Sequence, residues 1–199
     1  MGVMTRVWIA GAGGRLGSAL GCRFASNMAF KLLTSDRDVP VEDSKQVGRF
    51  ADLNHPDVII NCAGLTDVRL CENCPEEAYK VNALGARNLA VAARRIDAKL
   101  IQISTDDVFD GAGNAALCEF DDPHPVTMYG KSKYAGEKLV RELTDKHVIV
   151  RSSWLYGAGT YDFVDRVLDA AAMGGLIRLP GDEISSPTSA DALAGLIEY

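Results

Sequence analysis

The sequence predicts an α/β fold built on a doubly wound parallel sheet with helices on both faces. Short apolar runs alternate along the chain with longer segments of helical periodicity. The apolar runs are rich in β-branched residues and leucine, and they are continuous rather than alternating with polar residues. Such strands are typical of a parallel sheet that is buried on both faces. Ligands of this fold bind beyond the carboxyl ends of the strands.

The predicted elements follow one another closely as far as residue 153. The five predicted strands are Thr5–Ala10, Phe30–Ser35, Asp57–Asn61, Lys99–Ser104 and His147–Ser153. The predicted helices are Arg15–Ala25, Pro75–Arg95 and Tyr129–Thr144, and another begins within the final segment SADALAGLIEY. The strand ends should bring one set of residues to a common crevice: Gly11, Asp36, Asn61 and Ser104–Asp107.

Composition argues against several classes of protein. With 199 residues, 47% of them hydrophobic, the chain is long enough for one domain with a sizeable core. The net charge of −6 gives no reason to expect nucleic acid or an anionic membrane as a partner. No apolar run approaches a membrane span, and no signal-peptide pattern is expected. The five scattered cysteines do not suggest a disulfide framework, so we expect a reducing, cytoplasmic setting.

A glycine-rich loop lies between the first predicted strand and the first predicted helix. In WIAGAGGRLGSAL, three glycines fit the spacing G-x-x-G-x-x-G: Gly11, Gly14 and Gly17. Leu16 excludes the alternative spacing G-x-G-x-x-G. Glycine permits a tight turn and lets backbone N–H groups approach a pyrophosphate at the helix N-terminus. We therefore expect a Rossmann-type dinucleotide-binding domain over residues 1–153, and the start of a substrate-binding portion over residues 154–199.

The choice between NADH and NADPH stays open. Asp36 directly follows the second predicted strand, where a carboxylate accepts hydrogen bonds from the adenosine ribose and favours NADH. Arg37 is adjacent to it, and Arg15 lies inside the glycine loop. Either guanidinium could instead pair with the 2′-phosphate of NADPH.

Tyr129 and Lys133 lie at positions i and i+4 of a predicted helix, so they share one of its faces. A phenol with its ordinary pKa near ~10 is a poor proton shuttle at neutral pH. An ammonium about 4 Å away would contribute about 4 kcal/mol at an effective dielectric near 20. We therefore expect Lys133 to lower the pKa of Tyr129 by roughly three, into the range useful for acid–base catalysis.

Together these segments resemble the extended short-chain dehydrogenase/reductases, and within that group the dTDP-4-dehydrorhamnose reductase family. The resemblance runs from about Val7 to Leu193, through the glycine loop and then DVIINCAGLTDVRLCE, AYKVNALGARNLA, ISTDDVFDG, EFDDPHPVTMYGKSKYAGE, VIVRSSWLYG and SPTSADALA. It implies NAD(P)H-dependent reduction of a nucleotide-linked 4-keto sugar in dTDP-rhamnose biosynthesis. Whether the chain forms a homodimer stays open. Family members continue well beyond the position that matches the last residue of this sequence. The resemblance therefore also implies an incomplete C-terminal substrate lobe.

The resemblance assigns roles to individual residues. Thr105, Tyr129 and Lys133 would form the catalytic triad, with Tyr129 donating a proton to the keto oxygen. Thr105, Asp106 and Trp154 would contact the nucleotide sugar. The cofactor would lie against a larger set: Gly11, Gly14, Arg15, Leu16, Gly17, Asp36, Arg37, Gly64, Leu65, Thr66, Tyr129 and Lys133. We expect no metal site.

Three departures from the family pattern add negative charge near the expected diphosphate. Asp107 stands where Tyr is usual, Asp162 where Asn is common, and Glu183 where Gln is usual. Two other functions stay open, one suggested by Asp107 and the incomplete C-terminal lobe and the other by the Tyr–Lys pair that it shares. An NAD(P)-binding regulatory or assembly subunit, like that of methionine adenosyltransferase, would bind cofactor without turnover and co-purify with a partner enzyme. A sugar-nucleotide epimerase or dehydratase would retain NAD through purification.

Overall fold

The computed structural model describes residues 4–113, 115–157, 163–174, 178, 181 and 184–198; Asp162 and Glu183 lie outside these ranges. The described strands form two parallel sheets. The larger has the spatial order β2-β1-β3-β4-β5. Its strands are β1 (Thr5–Ala10), β2 (Phe30–Ser35), β3 (Val58–Asn61), β4 (Lys99–Thr105) and β5 (His147–Ser152). The smaller pairs β6 (Leu155–Tyr156) with β7 (Thr188–Ser189).

Six helices lie between strands of the large sheet: α1 (Arg15–Ala25), α2 (Ser44–Asn54), α3 (Val68–Asn73), α4 (Pro75–Tyr79), α5 (Gly85–Arg95) and α6 (Met128–Leu143). Helix α7 (Phe163–Ala172) lies between β6 and β7 in the chain, and α8 (Ala190–Glu198) follows β7. A π-helical turn, Lys80–Leu84, joins α4 to α5, and a 3₁₀ turn, Asp106–Val108, follows β4. Within the described ranges, no helix is both long enough and apolar enough to cross a membrane.

Two apolar clusters confirm that the sheet is covered on both faces. Trp8, Ile59 and Leu100 lie on one face and pack with residues of α2, α5 and α6. Ile9 and Ile60 lie on the other and pack with residues of α1 and α8. This arrangement explains the continuous apolar strands, because alternate side chains of each strand enter different clusters.

The strand and helix boundaries agree closely with the sequence pattern. The bounds of β1, β2 and α1 are those predicted, those of β3, β4 and β5 differ by one residue at one end, and α6 differs by one residue at both ends. The predicted helix Pro75–Arg95 contains a π turn that we did not predict. We also did not predict α2, whose polar sequence SKQVGRFADLN buries only Val47 and Ala51. Its N-terminus is capped by the Asp43 carboxylate, which accepts from two backbone N–H groups.

Candidate functional site

The glycine loop forms a tight turn directly after β1. Gly11 has a φ of +80°, and a Cβ at this position would lie 2.5 Å from the backbone nitrogen of Ala63. A Cβ on Gly17 would strike the carbonyl of Gly11. Both positions therefore require glycine, because the loop packs against the end of β3 and against its own helix. Gly14 is different: its φ is −73°, and a Cβ there would make an ordinary 3.5 Å contact with the Gly11 carbonyl.

The first turn of α1 leaves backbone N–H groups available for a ligand. Gly14 is the N-cap residue and provides no side-chain cap, so the first N–H groups of α1 face the loop. The side chain of Leu16 is 4% exposed and packs in the core, which leaves its backbone N–H as the group that can face a cofactor. Arg15 Nη1 donates to the carbonyl of Leu155 at 2.9 Å, so this guanidinium already holds β6. The loop fits the pyrophosphate of a dinucleotide.

Asp36 lies beside the glycine loop, as its position after β2 predicts. Its Oδ2 accepts from the backbone N–H of Gly13 at 3.1 Å, and both Asp36 and Arg37 are exposed. A Cβ on Gly13 would collide with this carboxylate. The loop and the acid are therefore adjacent and accessible, which fits the recognition of an adenosine ribose.

Thr105 and Tyr129 lie together at the carboxyl end of β4. The two side chains are close enough for the Thr105 hydroxyl to lower the pKa of Tyr129. The Thr105 hydroxyl also donates to Asp106 Oδ1 and accepts from the backbone N–H of Asp107, both at 3.2 Å. Thr127 caps α6 and accepts from the N–H of Gly130 at 3.0 Å, which fixes the first turn, where Tyr129 lies. Two hydroxyl groups are thus held close to each other at this strand end.

The expected effect of Lys133 on Tyr129 is wrong for this structure. Burial raises the pKa of Tyr129 to about 12; the nearby Thr105 hydroxyl opposes this, and Asp107, Asp106 and Cys71 add to it. Lys133 is buried and its Nζ donates to the carbonyl of Ile103 at 2.6 Å. Burial lowers the pKa of Lys133 to about 8, against the opposing effects of Cys62 and Glu137. Sequence spacing placed the two residues on one helix face, but it could not show burial or the direction of the amine.

The loop after β3 is held by a residue that we did not predict. Asn82, in the π turn, accepts from Leu65 N at 2.8 Å and donates to Leu65 O at 3.0 Å and to Ser132 Oγ at 2.9 Å. Gly64 lies beside it, and a Cβ there would be 3.7 Å from Lys133 Nζ. Thr66 is exposed. The only sequence signal was an Asn inside a predicted helix, and π turns often occur at functional sites.

The remaining expected substrate residues have different environments. Asp106 and Asp107 begin the 3₁₀ turn, and both lie close enough to Tyr129 to raise its pKa. Burial and then the charge of Asp106 raise the pKa of Asp107. Trp154 follows β5, is 45% exposed and has a φ of +37°. This conformation is uncommon for a bulky residue, and such strain is often found at functional sites.

Two residues expected in the crevice point into the protein instead. Asn61 is 2% exposed, and its side chain donates to Gln102 Oε1 at 2.8 Å and accepts from Ala63 N at 3.1 Å. Ser104 is 4% exposed and donates to Glu137 Oε1 at 2.6 Å. Both belong to the interior because alternate residues of a strand face opposite sides of the sheet. Among the residues that the structure describes, no group of three or more His, Cys, Asp or Glu side chains is arranged to hold a metal.

Comparison with known proteins supports this reading of the chain. A family model described as "RmlD substrate binding domain" matches residues 4–199. The chain is 38% identical over 192 residues to the spore coat polysaccharide biosynthesis protein SpsK of Bacillus subtilis, covering 96% of this chain and 68% of SpsK. It is 35% identical over 195 residues to dTDP-4-dehydrorhamnose reductase of Aggregatibacter actinomycetemcomitans, covering 98% of this chain and 66% of that protein.

A solved structure shows the same fold. The dTDP-4-dehydrorhamnose reductase of Bacillus anthracis, crystallised in complex with NADP, superimposes with a TM-score of 0.96 at 38% identity. The match covers 100% of this chain and 71% of that one. The chain thus spans about two thirds of the length of these relatives. By the match over residues 4–199 and these identities, it belongs to the family described as the RmlD substrate binding domain.

Proposed function

We propose that the chain carries out the NAD(P)H-dependent reduction of a nucleotide-linked 4-keto sugar of the dTDP-4-dehydrorhamnose type. One observation carries the proposal: the Thr105 and Tyr129 side chains lie together at the carboxyl end of β4, close enough for the Thr105 hydroxyl to lower the pKa of Tyr129. A keto oxygen placed between two hydroxyl donors can be oriented and protonated. Relatives at 35–38% identity include dTDP-4-dehydrorhamnose reductases, which supports this substrate class.

The residues around the strand ends would hold the cofactor. The first N–H groups of α1 would face its pyrophosphate, and Asp36 or Arg37 its adenosine ribose. Gly64 and the Lys133 ammonium lie together at the end of β3, where they would meet the nicotinamide ribose. Leu65 and Thr66 continue this loop. Bound NAD(P)H supplies the hydride for the carbonyl carbon.

Tyr129 would donate the proton in this reaction. Because its pKa is raised to about 12, Tyr129 is protonated throughout the neutral range and can act as an acid without first taking up a proton. Thr105 would donate a second hydrogen bond to the keto oxygen. The proton that leaves Tyr129 and the incoming hydride together convert the ketone to an alcohol.

Further assignments rest on the same proposal. Asp106 and Trp154 would contact the sugar, at the ends of β4 and β5. We propose that residues 1–153 form the dinucleotide-binding domain and that the substrate-binding portion starts at residue 154. A cytoplasmic location fits the five cysteines, all of which lie in the described ranges as free thiols. A homodimer stays a prediction.

Replacing the proposed acid tests the function. Tyr129→Phe should lower NADPH oxidation driven by dTDP-4-dehydrorhamnose at least about 100-fold, because the proton donor is lost. NADPH binding, followed by fluorescence, should change little. Tyr134→Phe, five residues later on α6, is the matched control; Lys138 lies 4.9 Å from its ring centroid.

Two outcomes would contradict the assignment. Turnover by Tyr129→Phe at the wild-type rate would exclude Tyr129 as the acid. Tight NADPH binding by the wild-type protein with no turnover of the keto sugar would instead support the regulatory subunit.

A further inference from the structure

The face of α6 that carries Tyr129 and Lys133 has a third member, Glu137. Residues 129, 133 and 137 are four apart, so they form one line along the helix. Each contacts one of the last three residues of β4. Tyr129 lies beside the Thr105 hydroxyl, Lys133 donates to the Ile103 carbonyl, and Glu137 accepts from the Ser104 hydroxyl.

Glu137 makes the most extensive of these contacts. It has no exposed surface. Its Oε1 accepts from Ser104 Oγ at 2.6 Å and from Arg151 Nε at 3.0 Å, and its Oε2 accepts from Arg151 Nη2 at 2.7 Å. Arg141 Nη2 adds a longer contact of 3.3 Å. A fully buried carboxylate destabilises the folded state unless it is paired and hydrogen-bonded, and here both oxygens accept hydrogen bonds.

The geometry of β5 explains why this contact is well defined. Arg151 pairs in register with Ser104, so both side chains reach Glu137 from neighbouring positions on one face of the sheet. The arginine forms a bidentate pair, which fixes the plane of the carboxylate. The carboxylate thus ties α6 to two strands, one residue before Thr105.

We propose that Glu137 is a positioning residue, which fixes Thr105 at the end of β4 relative to Tyr129 and Lys133 on α6. The inference rests on the proposed reduction, because it assigns Glu137 an effect on those reacting groups. It also gives Lys133 a counter-charge inside the protein. The groups that face Lys133 are Glu137 on its own helix and Cys62 at the end of β3.

Glu137→Gln tests this proposal. We expect kcat to fall roughly 10- to 100-fold, since small displacements of catalytic groups have effects of this size. NADPH binding should change less than about 3-fold. The alkaline limb of the pH–kcat/KM profile should move down by about one pH unit, because Lys133 loses an opposite charge. Glu142→Gln, an exposed change on the same helix, should leave all three quantities unchanged.

Two further variants keep the test decisive if Glu137→Gln does not fold. Ser104→Ala removes the 2.6 Å hydrogen bond to Glu137 and keeps the ion pair between Glu137 and Arg151. We therefore expect kcat to fall about 3- to 10-fold, whereas the alkaline limb of the pH–kcat/KM profile should not move. Glu137→Asp keeps the charge and should restore the limb while kcat stays low. A merely structural role would lower the melting temperature and leave the alkaline limb of the folded fraction in place, which would overturn the proposal. So would a wild-type kcat in Ser104→Ala.

Failure of the proposed function can be distinguished from failure of the proposal for Glu137. If wild-type protein binds NADPH but does not reduce the keto sugar, the proposed function has failed. The charge effect is then read by ¹⁵N NMR of the Lys133 side chain. A lower titration midpoint in Glu137→Gln than in Glu142→Gln supports the counter-charge, and equal midpoints contradict it.

Discussion

Lys133 donates a 2.6 Å hydrogen bond to the backbone carbonyl of Ile103, two residues before Thr105. The same carbonyl accepts from Gln102 Nε2 at 2.9 Å. The ammonium is therefore attached to the end of β4 and not to the Tyr129 phenol. The activation that the Y-x-x-x-K spacing implies is absent, and the two residues carry different pH responses.

The first prediction concerns the alkaline limb of activity. The pKa of Lys133 is lowered to about 8, whereas those of Tyr129 and Cys62 are raised to about 12. As pH rises through 8, Lys133 alone among these groups loses its proton, so kcat/KM for reduction should be level near neutrality and fall above about pH 8. Lys133→Met should be slow at every pH and lack this limb. A wild-type profile that stays level to pH 10 would contradict the assignment.

The second prediction separates the fold from the ligand at the glycine loop. Gly11→Ala places a Cβ 2.5 Å from Ala63 N at a φ of +80°, so it should destabilise the protein by about 1–3 kcal/mol or more. Gly14→Ala meets only an ordinary 3.5 Å contact and should keep the wild-type melting temperature. Both variants should bind NADPH at least about 10-fold more weakly, Gly14→Ala because its methyl group enters the space proposed for the pyrophosphate. Normal NADPH binding by Gly14→Ala would place the pyrophosphate elsewhere.

The third prediction concerns the choice of cofactor. Arg37 is exposed beside Asp36, whereas Arg15 is partly engaged with the Leu155 carbonyl. Arg37→Ala should therefore raise the Kd for NADPH about 10-fold or more and leave that for NADH within about 2-fold, as the loss of a charge-assisted hydrogen bond requires. Arg94→Ala, an exposed arginine on α5, is the control. Equal effects on the two cofactors would indicate that Arg37 does not meet the 2′-phosphate.

The fourth prediction concerns Asp107, where the family usually has an aromatic residue. This carboxylate lies near Asp106 and Tyr129, and its charge would oppose a diphosphate. Asp107→Asn should lower the KM for dTDP-4-dehydrorhamnose roughly five-fold, which corresponds to about 1 kcal/mol of screened repulsion. Asp110→Asn changes an exposed acid on the following loop and should have no effect. A KM that is unchanged or higher in Asp107→Asn would show that the acid does not repel the substrate.

Much of this architecture was predictable because the sheet is buried on both faces. β1 contains the buried apolar run Val7–Ala10, β2 contains the apolar pair Leu32 and Leu33, and α1 begins directly after its glycine loop. The helix α2 was not predicted because it buries few side chains, which leaves a weak apolar pattern in the sequence, and because its N-terminus depends on the Asp43 cap. The π turn has no apolar signature; it is stabilised by the contacts that Asn82 makes to Leu65 and Ser132.

The site was predictable only in part, because a sequence shows residue types but not their directions. Thr105 and Tyr129 meet as expected, whereas Asn61 and Ser104 turn into the interior. The pKa of Tyr129 depends on burial and on two nearby acids, neither of which a spacing of four residues can give. Glu137 lies in the same segment, EFDDPHPVTMYGKSKYAGE, as Tyr129. Its proposed positioning role, however, follows only from the pairing of β4 with β5.

The most direct test of the central claim is the transfer of deuterium from labelled NADPH. The protein is incubated with dTDP-4-dehydrorhamnose and NADPH deuterated at the transferable position, and the sugar is examined by NMR and mass spectrometry. The proposed reduction predicts one deuterium at carbon 4 of the product sugar for each NADPH oxidised, and labelling at least about 100-fold slower with Tyr129→Phe. Recovery of unlabelled, unreduced sugar in the presence of bound NADPH would contradict it.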